Sequence, residues 1–300
     1  MSRMMAILKG GVGILAHRPV SVFAWSAAYL LGAALVSGVL MVAAPVTVHP
    51  RSDMPEPNLV RSIALQIAML MVAAVVVTAI YRAVLRPEQR RFASLRLGVD
   101  ELRTLAILLL LTLVAMPIGL LFGLIVTFVT SALALASGGN AAMFGAMELA
   151  LLLLVIAGAA YLYVRLSPVL PLSFVRRRIT IDGAWELTRG HFWPLFGAYL
   201  LVWTVSVLVV LGLVYFLYGA LIMAMMNTPT EEEVDFVMRS FMRTQLANPM
   251  LATAQYLLFY VVFSAVFAVM QATLASATKV LLALGDEAEY DYSDEGAGSV

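Results

Sequence analysis

The 300 residues contain no cysteine, and charge is scarce: 12% of positions are Asp, Glu, Lys or Arg, against about 25% in an ordinary soluble domain. The missing thiol excludes disulfides, thiolate metal sites and a cysteine nucleophile. The missing charge, beside 62% hydrophobic residues, excludes a water-soluble fold, because a chain of this length has too much surface to hide so many apolar side chains. Lysine is nearly absent, with only Lys9 and Lys279, so basic contacts fall to arginine. Histidine is limited to His17, His49 and His191, without metal-ligand spacing. There is no phosphate loop ending in Gly-Lys-Ser/Thr and no Gly-x-Ser-x-Gly elbow. Paired intramembrane aspartates, pore filters and arginine-rich sensor helices are missing too. No catalytic residue, cofactor, metal or nucleic-acid partner is expected.

What the chain does have is long uncharged runs. About 20 apolar residues cross about 30 Å of hydrocarbon at 1.5 Å per residue. Six such runs predict spans at about 20–45, 62–81, 104–135, 144–164, 192–226 and 250–278. The uncharged stretch from Thr104 to Met147 is too long for one span and is broken by Ser137-Gly138-Gly139-Asn140, a turn sequence. The fourth span must then begin near Phe144 to reach its length, which draws Glu148 toward the interface. The first run is nearly twice the length of a signal-peptide core and has no clean cleavage site, so it reads as a signal anchor.

Loop charge orients the bundle. Arg3, Lys9 and Arg18, then Arg82 to Arg103, then Arg165 to Arg189, then Lys279 put fifteen bases on one side; Arg51, Arg61, Arg239 and Arg243 put four on the other. The positive-inside rule makes the richer side cytoplasmic, with both termini there. The expectation is an all-α integral membrane bundle of six transmembrane helices (residues 1–285) with short interfacial amphipathic helices. Residues 286–300 follow as a disordered acidic cytoplasmic tail, carrying six acids and no base.

Three segments read as interfacial. Arg90 to Arg103 alternates arginine with apolar residues, and Asp182 to Arg189 starts on a capping Asp182 with Trp185 at the interface. Between the last two spans, Thr228-Pro229-Thr230-Glu231 reads as a capping box opening an amphipathic helix, with Pro229 at its first position. The chain also looks threefold repetitive. Tyr81-Arg82 and Tyr163-Val164-Arg165 close two spans, and each is followed by an arginine-rich stretch. Then come Gly98-Val99-Asp100-Glu101-Leu102-Arg103 and Gly183-Ala184-Trp185-Glu186-Leu187-Thr188-Arg189. Basic-to-apolar junctions resemble each other by default, so repeat and coincidence both stay open.

Few residues invite a functional role. Glu148 is a candidate polar group in a span, with an interfacial carboxylate at a helix start as the plainer reading. Gln66, Gln255 and Gln271 would line a shared polar route or tie helices together. Arg90, Arg91, Arg96, Arg176, Arg177 and Arg178 are candidates for anionic headgroup contacts, with ordinary anchoring as the alternative. Gly119 and Gly123, and Ser264, Ala268, Ala272 and Ser276, have small-xxx-small spacing and read as packing seams inside the bundle, or else as a dimer contact. Pro117 should kink the third span.

Ala184-Trp185-Glu186-Leu187-Thr188-Arg189-Gly190 followed by Phe192-Trp193, with Arg165 and Pro168 upstream, resembles the polytopic membrane domain attached to some bacterial glycerophosphodiester phosphodiesterases and related stand-alone membrane proteins. The likeness covers about an eighth of the chain. It implies a bacterial inner membrane and a lipid-related role, with no active site to carry over. Two functions are expected as alternatives: a non-catalytic module that scaffolds a membrane protein partner or handles lipid, or a transporter or channel for a small solute or lipid. A water-filled path to Glu148 or the glutamines would favour the second; a dry bundle would favour the first.

Overall fold

The computed structural model describes residues 3–43, 59–87, 94–95, 98–136, 141–228 and 230–297, with side chains at all of these except 41, 43, 118, 133, 136, 141–144, 231–232 and 285–297. Every regular element among the described residues is a helix: α1 (Arg3–His17), α2 (Pro19–Ala43), α3 (Leu59–Leu85), α4 (Val99–Ala136), α5 (Ala141–Leu166), α6 (Val169–Arg176), α7 (Ile181–Leu187), α8 (Phe192–Met226), α9 (Glu231–Ala247) and α10 (Pro249–Ala297). Six of them, α2, α3, α4, α5, α8 and α10, are long and apolar enough to cross a membrane. Long uncharged runs form helices here because a backbone surrounded by lipid must satisfy every N–H and C=O within its own segment.

The core gathers at one end of the bundle, where the basic residues lie. α10 is its central post. It packs against α1, α2, α3, α6, α8 and α9. Trp25, Val76, Ala79 and Ile80 close around its small face at Ala268 and Ala272. Leu195, Ala198 and Val164 close on Leu274, Ala277 and Leu281. α1 is too short to span and lies against α10. Its Gly10 and Gly11 allow that approach, because a Cβ on either would run into the side chains of Ser276 and Thr273. Ile107, Val169, Leu172 and Ala184 form a smaller cluster that joins α4, α6 and α7. Toward the other end the helices part: Leu120, Leu124 and Phe128 of α4 and Leu152 to Leu154 of α5 are all exposed. Apolar side chains in that position need lipid as their solvent.

Several local expectations need correction. Among the described residues no separate helix lies within 90–103. Its last five residues are the first turn and a half of α4, Ser94 is buried in a left-handed conformation (φ 55°), and 90–93 and 96–97 lie outside the described residues. The cap before α7 is Thr180, not Asp182, which sits one residue inside the first turn. The cap before α9 is Thr230, two residues later than expected. Its Oγ1 accepts from the N–H of Glu233 at 3.4 Å, while Thr228 folds back to donate to the Met225 carbonyl at 2.7 Å. Thr230 and Glu233 still have capping-box spacing. Gly119 and Gly123 form no seam within the chain: both are exposed, with open space where a Cβ would stand. Their spacing defines a stripe, but the stripe faces away from the bundle. In α10, by contrast, Ala268, Ala272 and Ser276 are buried. Pro117 lies inside α4. The expected turn at 137–140 lies outside the described residues. α10 extends beyond 278, and the side chains of the acidic segment 286–300 lie outside the described residues.

Candidate functional site

Two arginines, each closing a long helix, organise the basic end. Arg82 ends α3 and is 2% exposed. One terminal nitrogen donates to Oε1 of Glu101 at 2.6 Å; the other donates to the carbonyl of Ser94 at 2.7 Å. Asp100 stands 3.6 Å away and is shared with Arg86 at 3.9 Å and Arg103 at 3.5 Å. Sequence places both acids in the first turn of α4, where the helix dipole already favours a carboxylate. The pair therefore welds the end of α3 to the start of α4 and pins the connecting strand of chain through Ser94. One turn deeper, Thr78 donates to Thr104 at 2.9 Å, and Tyr81 donates to Gln271 Oε1 at 2.8 Å, tying α3 to α10. Arg86 lies over the ring of Phe174, 4.6 Å from its centroid.

Arg165 ends α5 and meets no carboxylate among the described residues. Its guanidinium lies 5.3 Å from the ring centroid of Tyr161 and 5.2 Å from that of Trp185, and it approaches Thr188 Oγ1 at 3.4 Å. Glu186, the counterpart of Glu101 by sequence, is exposed. Arg165 is half-buried and its charge is left available.

At the same end of the bundle runs a groove of about 440 Å³ between α5, α8 and α10, lined by Ile156, Ala160, Tyr163, Phe196, Trp203 and Met270 among others, and partly open to the surroundings. The Phe196 ring on its wall stacks on Phe192 at 5.6 Å, and Phe192 touches Tyr161 at 5.5 Å, so groove and arginine share one aromatic wall. At its closed side Ser167 donates to the hydroxyl of Tyr199 at 3.0 Å and to the Val164 carbonyl at 2.8 Å. Ile156 is ten residues before the end of α5, about 15 Å along the axis, so the groove occupies the basic half of the span.

The residues singled out from sequence do not converge. Glu148 is exposed on the second turn of α5. Gln66 is exposed on α3. Gln255 accepts from Gln245 Nε2 at 3.0 Å, which joins α10 to α9 at the opposite end. Gln271 is held by Tyr81, as above. None of the four lines the groove. Arg176, Arg177 and Arg178 are exposed where α6 ends, with Arg177 as a left-handed cap (φ 54°); Arg90, Arg91 and Arg96 lie outside the described residues. Of the α10 seam, the Ser264 and Ser276 hydroxyls are buried without a hydrogen-bond partner. Among the described residues no three metal-ligating side chains cluster.

Sequence reasoning missed the Arg82–Glu101 pair. Its signal was two adjacent acids in an otherwise basic connection, nineteen residues after an arginine that closes a span. Orientation rules give loop acids little weight, so they drew no attention. No protein-family model matches this chain, no curated protein matches it, and no solved structure matches it.

Proposed function

We propose that this chain is a non-catalytic, multi-pass protein of a bacterial inner membrane, with its basic end in the cytoplasm, that holds a membrane lipid by an acyl chain. The observation that carries the reading is the lateral groove between α5, α8 and α10. It is almost wholly apolar, it lies within the basic half of the spans, and a run of aromatic rings (Phe196, Phe192, Tyr161) links it to Arg165, which has no carboxylate partner among the described residues. Those three properties suit an amphipathic ligand with an anionic head and a hydrocarbon tail. The likeness of residues 165–200 to the membrane domain of glycerophosphodiester phosphodiesterases supports the same reading, as do the exposed Arg176, Arg177 and Arg178 beside the groove's end of the bundle. Transport draws no support from Glu148 or the glutamines, since none of them lines the groove.

The test uses the full chain in vesicles containing a phospholipid with a photoactivatable acyl chain. Labelling should concentrate on 156–163 and 196–203, and Ala160→Trp should reduce it several-fold by filling the groove. Equal labelling of the groove and of the exposed α4 face at 120–128 would overturn the proposal.

A further inference from the structure

A second pocket, of about 520 Å³, opens at the basic end between α1, the end of α3 and α10. It is separate from the groove and shares none of its lining residues. Lys9, His17, Arg18 and Lys279 all line it, and among the described residues no carboxylate does. These include both lysines of the chain. Among the described residues none of the three permanent cations has a carboxylate within ion-pair distance. Like charges gathered around one cavity repel each other, and the arrangement loses that cost when an anion enters.

A second observation points the same way. Ser276 lines this pocket, is 5% exposed, and its hydroxyl has no hydrogen-bond partner among the described residues. A helical serine ordinarily returns its proton to the carbonyl four residues back, as Thr273 and Thr278 do on this same helix. A buried hydroxyl left without a partner costs free energy that a ligand oxygen would recover. Gly10 packs directly against this serine, and any side chain there would displace its hydroxyl. His17 donates from Nδ1 to the Gly13 carbonyl at 2.8 Å, which fixes the ring, and Nε2 can donate to a ligand oxygen when the ring is an imidazolium.

We infer that Lys9, Arg18, Lys279, His17 and the Ser276 hydroxyl form a binding site for a phosphate group. Tetrahedral oxygens suit converging ammonium, guanidinium and hydroxyl donors that come from different helices. The volume accepts more than one phosphate, so a headgroup with its glycerol fits as well as a free anion. The site rests on the lipid reading only for the source of the phosphate. Its position at the helix ends makes a lipid headgroup accessible from the membrane and a soluble anion accessible from water.

The experiment uses the full chain in uncharged detergent, titrated in parallel with short-chain phosphatidylglycerol and with inorganic phosphate. Arg18→Gln with Lys279→Gln should weaken binding at least tenfold, and Ser276→Ala two- to fivefold. Lys279→Arg should retain binding, and Arg189→Gln, an exposed base outside the pocket, should change it less than twofold. Loss confined to the lipid assigns a headgroup; loss of both probes assigns a phosphate site open to soluble anions. Binding of both probes unchanged in the double variant, or weakened equally by Arg189→Gln, overturns the site. Ala160→Trp should leave phosphate binding intact, so a failed groove and a failed phosphate site give different results.

Discussion

The joint after α3 and the joint after α5 begin alike in sequence and end differently in space. Each closes a long helix with an aromatic residue and an arginine, and further along the chain has a glycine followed three residues later by a glutamate. In the first, Arg82 is sealed against Glu101 and Asp100 and carries no charge to the outside. In the second, Arg165 rests on Tyr161 and Trp185 while Glu186 faces away. The difference follows from where the acid sits. Glu101 lies in the first turn of a helix that continues for 38 residues and packs on α3; Glu186 lies in a helix of seven that turns its buried face, Ala184 and Thr188, toward α6 and α5. A neutralised arginine makes a structural weld. An arginine seated on aromatic rings stays available to an anion.

The contrast is sharpest in Arg82→Met. Removing one member of a buried pair strands the other in low dielectric, at about 3–5 kcal/mol. Denaturant titration in mixed micelles should show a loss of that size, and the further change Glu101→Leu should restore most of it. A loss under 1 kcal/mol would mean that water reaches the pair. Next in size is the exchange of acids. Glu101→Gln should cost about 1.5–3 kcal/mol, the worth of a hydrogen bond to a charged group, whereas Glu186→Gln should stay within about 0.5 kcal/mol, as an exposed substitution does. Equal effects from the two would erase the distinction drawn here. Smaller again, Arg165→Met should lose only about 0.5–1 kcal/mol of cation–π attraction while weakening anionic-lipid binding; the opposite ranking, large on stability and nil on lipid, would make this joint a weld as well. Tyr81→Phe deletes the hydroxyl that holds Gln271 and should cost about 0.6 kcal/mol, the average for a hydrogen bond between membrane helices. A cost above 2 kcal/mol would show that the α3–α10 contact carries more of the bundle than its geometry implies.

Spans were legible because hydrocarbon imposes a length and forbids charge, and both constraints act on consecutive residues. Phe192 opens α8 and Met226 closes it where the apolar run does. Azimuth was less legible. Gly119 and Gly123 have the spacing of a packing stripe, as do Ala268, Ala272 and Ser276, yet only the latter face the bundle. A helix that is apolar all round gives no moment to say which side turns inward. Cap positions slipped where two candidates compete. Thr228 and Thr230 flank one proline, and the choice depends on which hydroxyl is needed by the preceding helix. The Arg82 pair and the basic pocket were hidden for a third reason. Arg82 and Glu101 are nineteen residues apart and Lys9 and Lys279 are 270 apart, and what brings Lys9 to Lys279 is the docking of α1 on α10, which no local pattern announces.

That docking has a consequence for biogenesis. α1 is the first helix of the ten to leave the ribosome, and α10, its main partner, is the last. At 5–20 residues per second, the interval between His17 and Pro249 is roughly 10–50 seconds. Throughout it the glycine face of α1 has nothing to press against, and α2, α3 and α8 lack the post around which they gather. The spans must enter the bilayer singly and wait there, and the finished bundle must lock in one late event when the tenth helix arrives.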